Sequence, residues 1–501
     1  MNVLHLLQFQ TYFEEVTKLI REQFVPATKQ SKRKREIHQN INTHSLKPRI
    51  MICAPSNAAV DNALERIIND GFLQMDGTNY SPDVIRVVSG DAIISSSAQA
   101  LSIDKRVKDL IAMTTSDWRT WYSRQYHTVS ISEAQLKEKM NESVNVCDVS
   151  HISSIVQLYE TRDRALGDLA RLERLRPLHD DSVERGSSVQ LLRQISDDLS
   201  LSFMDEAEIV CCTLTSISNR HMLTTTRPFK TVIVDEACQA NEVATLIPLV
   251  TCQAHCVLVG DPKQLPATVK SKYASDAAFE RSLFERLVAS GMKVNVLTTQ
   301  YRMHPQIRMF PSLTFYSNIL KDAPRLEERR CLSSHAHWPF RPYMIFDVMN
   351  GIEEQTCTFS RCNKAEALFV IDLLTKYSSW LSADRIRSIV ILSGYREQCT
   401  LIEQLLKTVD TNLISSVVVR TVDAFQGQEA DVVIFSCVRT CVDDIGFLAD
   451  TRRLNVALTR ARFSLWIVCK CEAICKFQFW KNLVDDAKER GCYSDAQNVA
   501  P

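Results

Sequence analysis

The sequence predicts an α/β fold built on parallel sheets with a long helical insertion, on three observations. Short apolar runs of four or five residues recur along the chain, continuous in hydrophobicity rather than alternating, as in strands covered on both faces. Several are separated by helical patterns, the arrangement that lays helices over a parallel sheet. Between about residues 90 and 208 those runs give way to charged, helix-periodic sequence.

Residues 1 to about 24 carry Leu4, Leu7, Phe13, Val16, Leu19, Ile20 and Phe24 at helical spacing, and a polar, basic stretch then runs to Pro48. Arg49 to Ala54 reads as a buried strand closed by the loop residues Pro55, Ser56 and Asn57, with a helix from about Ala59 to Ile68. The stretch 90–208 reads as an insertion, its charge runs being either a solvated helical hairpin or a binding surface. Further strands are expected at Ile209–Cys212, Thr231–Val234, Cys256–Val259, Ile389–Leu392, Ser416–Val419, Val432–Phe435 and Leu465–Val468. The apolar pattern pauses between about 311 and 380. This places a domain junction near 310, giving a first domain over 1–310, a second over 311–490 and a tail over 491–501.

Lys plus Arg and Asp plus Glu both total 59, so any surface for a polyanion must be a local basic track rather than a global excess. The 17 cysteines lack paired C-x-x-C spacing and read as structural thiols; the Cys469, Cys471, Cys475 cluster has no histidine close behind it to complete a metal site. No apolar run reaches membrane-spanning length, and the first residues lack a charged region preceding an apolar core, so a cytosolic or nuclear protein is expected. Lys32-Arg33-Lys34-Arg35 suits either a nuclear-import patch or a solvated loop.

The chemistry concentrates at strand ends. Val232-Ile233-Val234 delivers Asp235 and Glu236, two adjacent acids where open α/β sheets bind ligands. In nucleoside triphosphatases the first such acid holds Mg²⁺ and the second orients and deprotonates water; a helix N-cap is the alternative. Cys256 to Val259 runs into Gly260-Asp261-Pro262-Lys263-Gln264, placing Gln264 to sense a γ-phosphate, or simply forming a surface turn. Arg302 and Arg460 are candidate fingers for phosphoryl charge, since guanidinium is planar and permanently charged, although isolated arginines commonly form surface ion pairs. Gly427 permits close backbone approach, and the glutamine and glutamate side chains around it, Glu429 among them, suit ribose or neighbouring loops.

Taken in order, APSNAAVD from Ala54, DEACQ from Asp235, GDPKQLP from Gly260, QYRMHP from Gln300, TVDAFQGQE from Thr421 and NVALTRA from Asn455 resemble the motifs of superfamily 1B helicases. Pro266 in the third of these, Ser282 to Leu287 and the ending Trp480 to Gly491 look closer to the senataxin-like branch than to the nonsense-mediated-decay branch. The resemblance covers about residues 49–89 and 209–490. It implies two RecA-like domains, ATP and Mg²⁺ as cofactors, and single-stranded RNA or DNA, or an RNA–DNA hybrid, as partner. By the same resemblance Asp235 coordinates the metal, Glu236 is the base, Gln264 senses the γ-phosphate, and Arg302 and Arg460 act as fingers. Gly427 and Glu429 lie by the nucleotide, while Pro55, Ser56, Asn57, Thr213 and Thr421 lie near the nucleic acid. Translocation would run 5′ to 3′, with residence in the nucleus alone or in nucleus and cytoplasm both.

The sequence departs from the family in two places. A Gly-rich loop ending in Gly-Lys-Thr, which cradles the β- and γ-phosphates, occurs nowhere in the 501 residues. The chain is therefore expected to start downstream of that loop, to bind ATP poorly and to leave apolar surface on its first sheet uncovered. An ATPase-dead nucleic-acid clamp or a fragment is the competing function; a metal-dependent nuclease would need more clustered carboxylates. Secondly, Gly394 stands where relatives often carry proline.

Overall fold

The computed structural model describes residues 48–73, 79–90, 92–141, 149–179, 189–218, 227–356, 360–381, 383–408, 417–441 and 444–499, with the isolated positions 15, 18 and 222. The expected helix over 1–24 and the basic run Lys32 to Arg35 lie outside these residues. The chain divides into two compact units, 1–260 with 267–286, and 261–266 with 287–501.

In the first unit, β1 (Ile50–Ala54) leads into α1 (Asn57–Asp70) and β2 (Val84–Val87). Four helices follow: α2 (Ile103–Ile111), α3 (Thr115–Asn141), α4 (Val149–His179) and α5 (Val189–Glu206). Then come β3 (Ile209–Thr213), β4 (Phe229–Val234), α6 (Glu242–Leu249) and β5 (Cys252–Leu258). The sheet order is β2-β3-β1-β4-β5, every neighbouring pair parallel. Because successive strand side chains alternate between faces, the sheet has two cores. Ile50, Ile52 and Ala54 pack with Val60, Leu64 and Ile67 of α1. Met51 and Cys53 join Val107 of α2, Leu172 and Leu175 of α4, and Ile195 and Leu199 of α5 on the other face. The insertion is thus rooted in the core. Its α3–α4 hairpin is tied by the Trp118 indole N–H donating to the Leu172 carbonyl at 2.9 Å. Strand β5 is the sheet's outer strand, and its residues 253–256 are exposed.

The second unit contains α7 (Pro305–Phe315), β6 (Tyr343–Asp347), α8 (Lys364–Tyr377), β7 (Ile389–Ser393), α9 (Arg396–Leu406), β8 (Val417–Thr421) and β9 (Ala430–Ser436). It closes with α10 (Thr451–Leu458), β10 (Ala461–Cys469), α11 (Gln478–Glu489) and β11 (Tyr493–Asp495). Its sheet order is β8-β7-β9-β10-β6-β11, again parallel throughout. Strand β6 corrects the reading that strands pause between 311 and 380. A short apolar run after a proline-containing loop carries no periodicity of its own, and only its seat between β10 and β11 makes it a strand. The unit division also falls upstream of residue 310, because Met303, Ile307 and Phe310 belong to the second unit's core. Fully buried Trp466 anchors that core, with Tyr377 edge-on at 4.9 Å. Residues 493–495 of the expected tail form the edge strand β11.

No helix among the described residues is long and apolar enough to cross a membrane. Burial raises the Cys53, Cys211 and Cys212 thiols, which suits packing rather than chemistry.

Candidate functional site

In the first unit the parallel register brings three strand ends into line. Thr213 ends β3 opposite Ala54 of β1, and Asp235 follows β4, its N–H donating to the Cys53 carbonyl at 2.8 Å. Pro55, Ser56 and Asn57 therefore lie with Thr213 and Asp235 along one carboxyl edge. Ser56 is exposed and caps α1, its hydroxyl accepting the Ala59 N–H at 3.2 Å, which explains why the helix starts at Asn57 rather than Ala59. The Thr213 hydroxyl lies 2.6 Å from that of Ser216.

Asp235 and Glu236 sit on a turn that the backbone would not choose unaided. Glu236 has φ of 51°, the left-handed region that non-glycine residues seldom occupy, a conformation that clusters at functional sites. Its N–H donates to Asp235 Oδ1 at 3.0 Å, and the Gln239 amide donates to its carboxylate. Burial pushes the Asp235 carboxyl up, against the pull of that N–H and of Arg66. A cation there would relieve the desolvated charge. No group of three or more His, Cys, Asp or Glu able to hold a metal occurs among the described residues. Gly260, after β5, is required by crowding: a Cβ there would meet Cys238 Sγ at 2.8 Å and Cys238 N at 2.9 Å.

The second unit collects residues far apart in sequence into one hydrogen-bonded network. Arg302 donates to Glu429 at 2.8 Å and to the Thr459 carbonyl at 3.2 Å. Arg460, 2% exposed, donates to the Val456 carbonyl at 3.0 Å, to Thr459 Oγ1 at 3.0 Å and to Gln264 Oε1 at 3.3 Å. The Gln264 amide in turn donates to Asp261, whose carboxylate also accepts the Tyr316 hydroxyl at 2.6 Å, and Asn455 donates to Tyr316 at 2.7 Å. Four of the expected residues, Gln264, Arg302, Glu429 and Arg460, thus meet through Thr459. Gly427 has φ of 76° with open space around its Cβ position, so conformation rather than crowding calls for glycine. Thr421 ends β8, its hydroxyl accepting the Ala424 N–H at 3.4 Å.

Sequence reading missed Tyr316, which no motif contains, and Arg86, a lone cation in the apolar strand β2. Only the second left a signal, since an arginine inside a buried strand demands partners. Gly394 also finds its reason. A Cβ there would fall 2.4 Å from ring atoms of Phe447, whose ring in turn lies 5.3 Å from the Arg453 guanidinium. Gly394→Ala is expected to cost about 1–3 kcal/mol by displacing that ring, read as a lower urea midpoint at unchanged slope.

The chain matches the AAA domain family AAA_11 over residues 12–272, more than half its length, and the AAA domain family AAA_12 over residues 279–472. It is 33% identical over 475 residues to Helicase SEN1 of Saccharomyces cerevisiae, covering 91% of this chain and 21% of that protein. It is 32% identical over 495 residues to Probable helicase senataxin of Homo sapiens, covering 92% and 17%. ATP-dependent helicase NAM7 of Saccharomyces cerevisiae is 35% identical over 335 residues, covering 65% and 34%. The chain spans about a fifth of the length of the first of these relatives.

Proposed function

We propose, from the premise that the chain belongs to the senataxin-like superfamily 1B helicases, that it is the motor core of an ATP-dependent RNA/DNA helicase. The observation that carries the reading is the shared carboxyl edge of β3, β1 and β4, which sets neutral hydrogen-bonding groups beside a strained acidic turn. Thr213, Ser56 and Asn57 suit a phosphodiester backbone, and so does Thr421 in the second unit. Asp235 would hold Mg²⁺, and Glu236, with its backbone locked, would accept the proton of the attacking water. Bound ATP would supply the γ-phosphoryl group for transfer to water, with ADP as the leaving group. Within the second unit, Gln264 suits contact with a γ-phosphate, and Arg302 and Arg460 suit phosphoryl charge; Gly427 and Glu429 lie within or beside that network. The direction would be 5′ to 3′, on single strands or RNA–DNA hybrids, in the nucleus.

No Gly-Lys-Thr loop occurs in these 501 residues, and for them taken alone we infer strand binding without appreciable turnover. Binding of a labelled oligouridylate and an oligothymidylate across a salt series tests the shared part of both readings. We expect the logarithm of the affinity to fall linearly with the logarithm of salt, and affinity to differ little between sequences of one base composition class. Absence of binding at low salt would overturn both. ATP turnover by these residues that vanishes in Glu236→Gln would overturn the second.

A further inference from the structure

Beneath the β1 edge lies a buried ion pair. Arg86, on β2, is 0% exposed, and Asp61, on α1, is 6% exposed. The Arg86 guanidinium spends its donors on three partners: Asp61 Oδ1 at 3.1 Å, the Val87 carbonyl at 2.8 Å and Asn57 Oδ1 at 2.8 Å. Asp61 is held from its other oxygen by the Ser95 N–H at 2.8 Å. A guanidinium only donates, so the atom that Asn57 turns toward it must be the amide oxygen. The amide Nδ2 is then left without a protein partner among the described residues, on a half-buried side chain at the first position of α1.

We propose that Arg86 is a positioning residue for nucleic-acid binding: paired with Asp61, it fixes the polarity of the Asn57 amide so that Nδ2 donates to a backbone phosphate. This rests on the helicase reading of the same edge. A freely rotating amide would present donor and acceptor alike, and the acceptor repels phosphate. Asn57 also sits where α1 offers its unpaired N–H groups and positive dipole end, so a phosphate approaching Nδ2 meets further donors. Replacing the pair would leave the fold but free the amide to turn.

The test compares binding of a labelled single-stranded oligouridylate by the full 501-residue chain and its variants. Asn57→Asp keeps the shape and gives Arg86 a stronger partner, and an acid in the first turn favours the helix, so its melting temperature is expected to hold or rise. Its affinity is nevertheless expected to fall about tenfold or more, because a donor has become an anion facing phosphate. Asn57→Ala, which adds no charge, is expected to lose about threefold. In the doubly apolar background Asp61→Met/Arg86→Met, which avoids leaving one charge buried alone, the Asn57→Asp penalty is expected to shrink below about threefold as the side chain turns away. Wild-type binding with an undiminished Asn57→Asp variant would overturn the proposal while sparing the helicase reading. A penalty that stays tenfold in the doubly apolar background would remove Arg86 from the role. Failure of the wild-type chain to bind would overturn the reading and this inference together.

Discussion

Arg49→Met is expected to destabilise the first unit by about 3–5 kcal/mol, lowering its melting temperature by roughly 10 °C. Arg49 immediately precedes β1 and is 1% exposed. Its guanidinium donates to the carbonyls of Met204, Ala207 and Arg227 and lies over the Phe229 ring at 4.4 Å. Met204 is in the last turn of α5, where carbonyls have no partner within the helix, so one side chain caps the insertion's final helix and clamps it beside the central strand. Burial pushes the guanidinium down to about 10, which leaves it charged at neutrality. Methionine would fill the space and relieve that desolvation, but three buried carbonyls would lose their donor, and the second effect is the larger. Arg49→Lys, with one compact charge, is expected to fall between the two. Thermal unfolding followed at the first-unit residues Trp118 and Trp121 reads the outcome. A loss under about 1 kcal/mol would show that the clamp is dispensable.

Glu366→Gln is expected to change the pH dependence of the second unit's stability. Glu366 is 0% exposed on α8 and accepts from the Ser436 hydroxyl at 2.7 Å, the Val438 N–H at 2.9 Å and the Asn363 amide at 3.2 Å. Burial pushes its carboxyl up to about 7 from 4.5, outweighing those donors. The folded state therefore holds this proton more tightly than the unfolded one. The stability it contributes is whole below pH 4.5 and is lost as pH rises to about 7, roughly 3 kcal/mol in all. His304 and His335 run the other way: burial pushes both down to about 4, so their contribution is present above pH 6.5 and lost on acidification toward 4. The raw pH profile mixes the two. The quantity to measure is the difference between wild type and Glu366→Gln in urea unfolding, expected to shift by about 3 kcal/mol between pH 4.5 and 7 in favour of the variant. A difference flat across that range would mean that Glu366 titrates alike in both states.

Val438, whose N–H Glu366 receives, has φ of 71°, unusual for a β-branched residue. The chain turns there toward Arg439, which pairs with Glu353 at 2.9 Å. A buried carboxyl that prefers its proton thus braces the strained turn after β9.

The α/β class and the parallel strands were legible in the sequence alone, and so was the carboxyl edge that carries the candidate residues. Short continuous apolar runs separated by helical patterns suit strands covered on both faces, and acids, Asn and Thr directly after such strands fall at the carboxyl edge. Ordered motifs, each legible within a few residues, also singled out Asp235, Glu236, Gln264, Arg302 and Arg460 as candidates. Three features were decided only by tertiary structure. Strand β6 is one, because a short apolar run is shared by strands and buried helices until its neighbours are known. Another is the network joining Gln264 to Arg460 and, through Asp261, Tyr316 and Asn455, to α7 and α10; directly bonded members are up to 196 residues apart and have no common period. The last is the Arg86, Asp61 and Asn57 arrangement. The chain announces a buried cation in β2, but which groups satisfy it depends on how α1 lies against the sheet, and that is set by packing over the whole unit rather than by any local pattern.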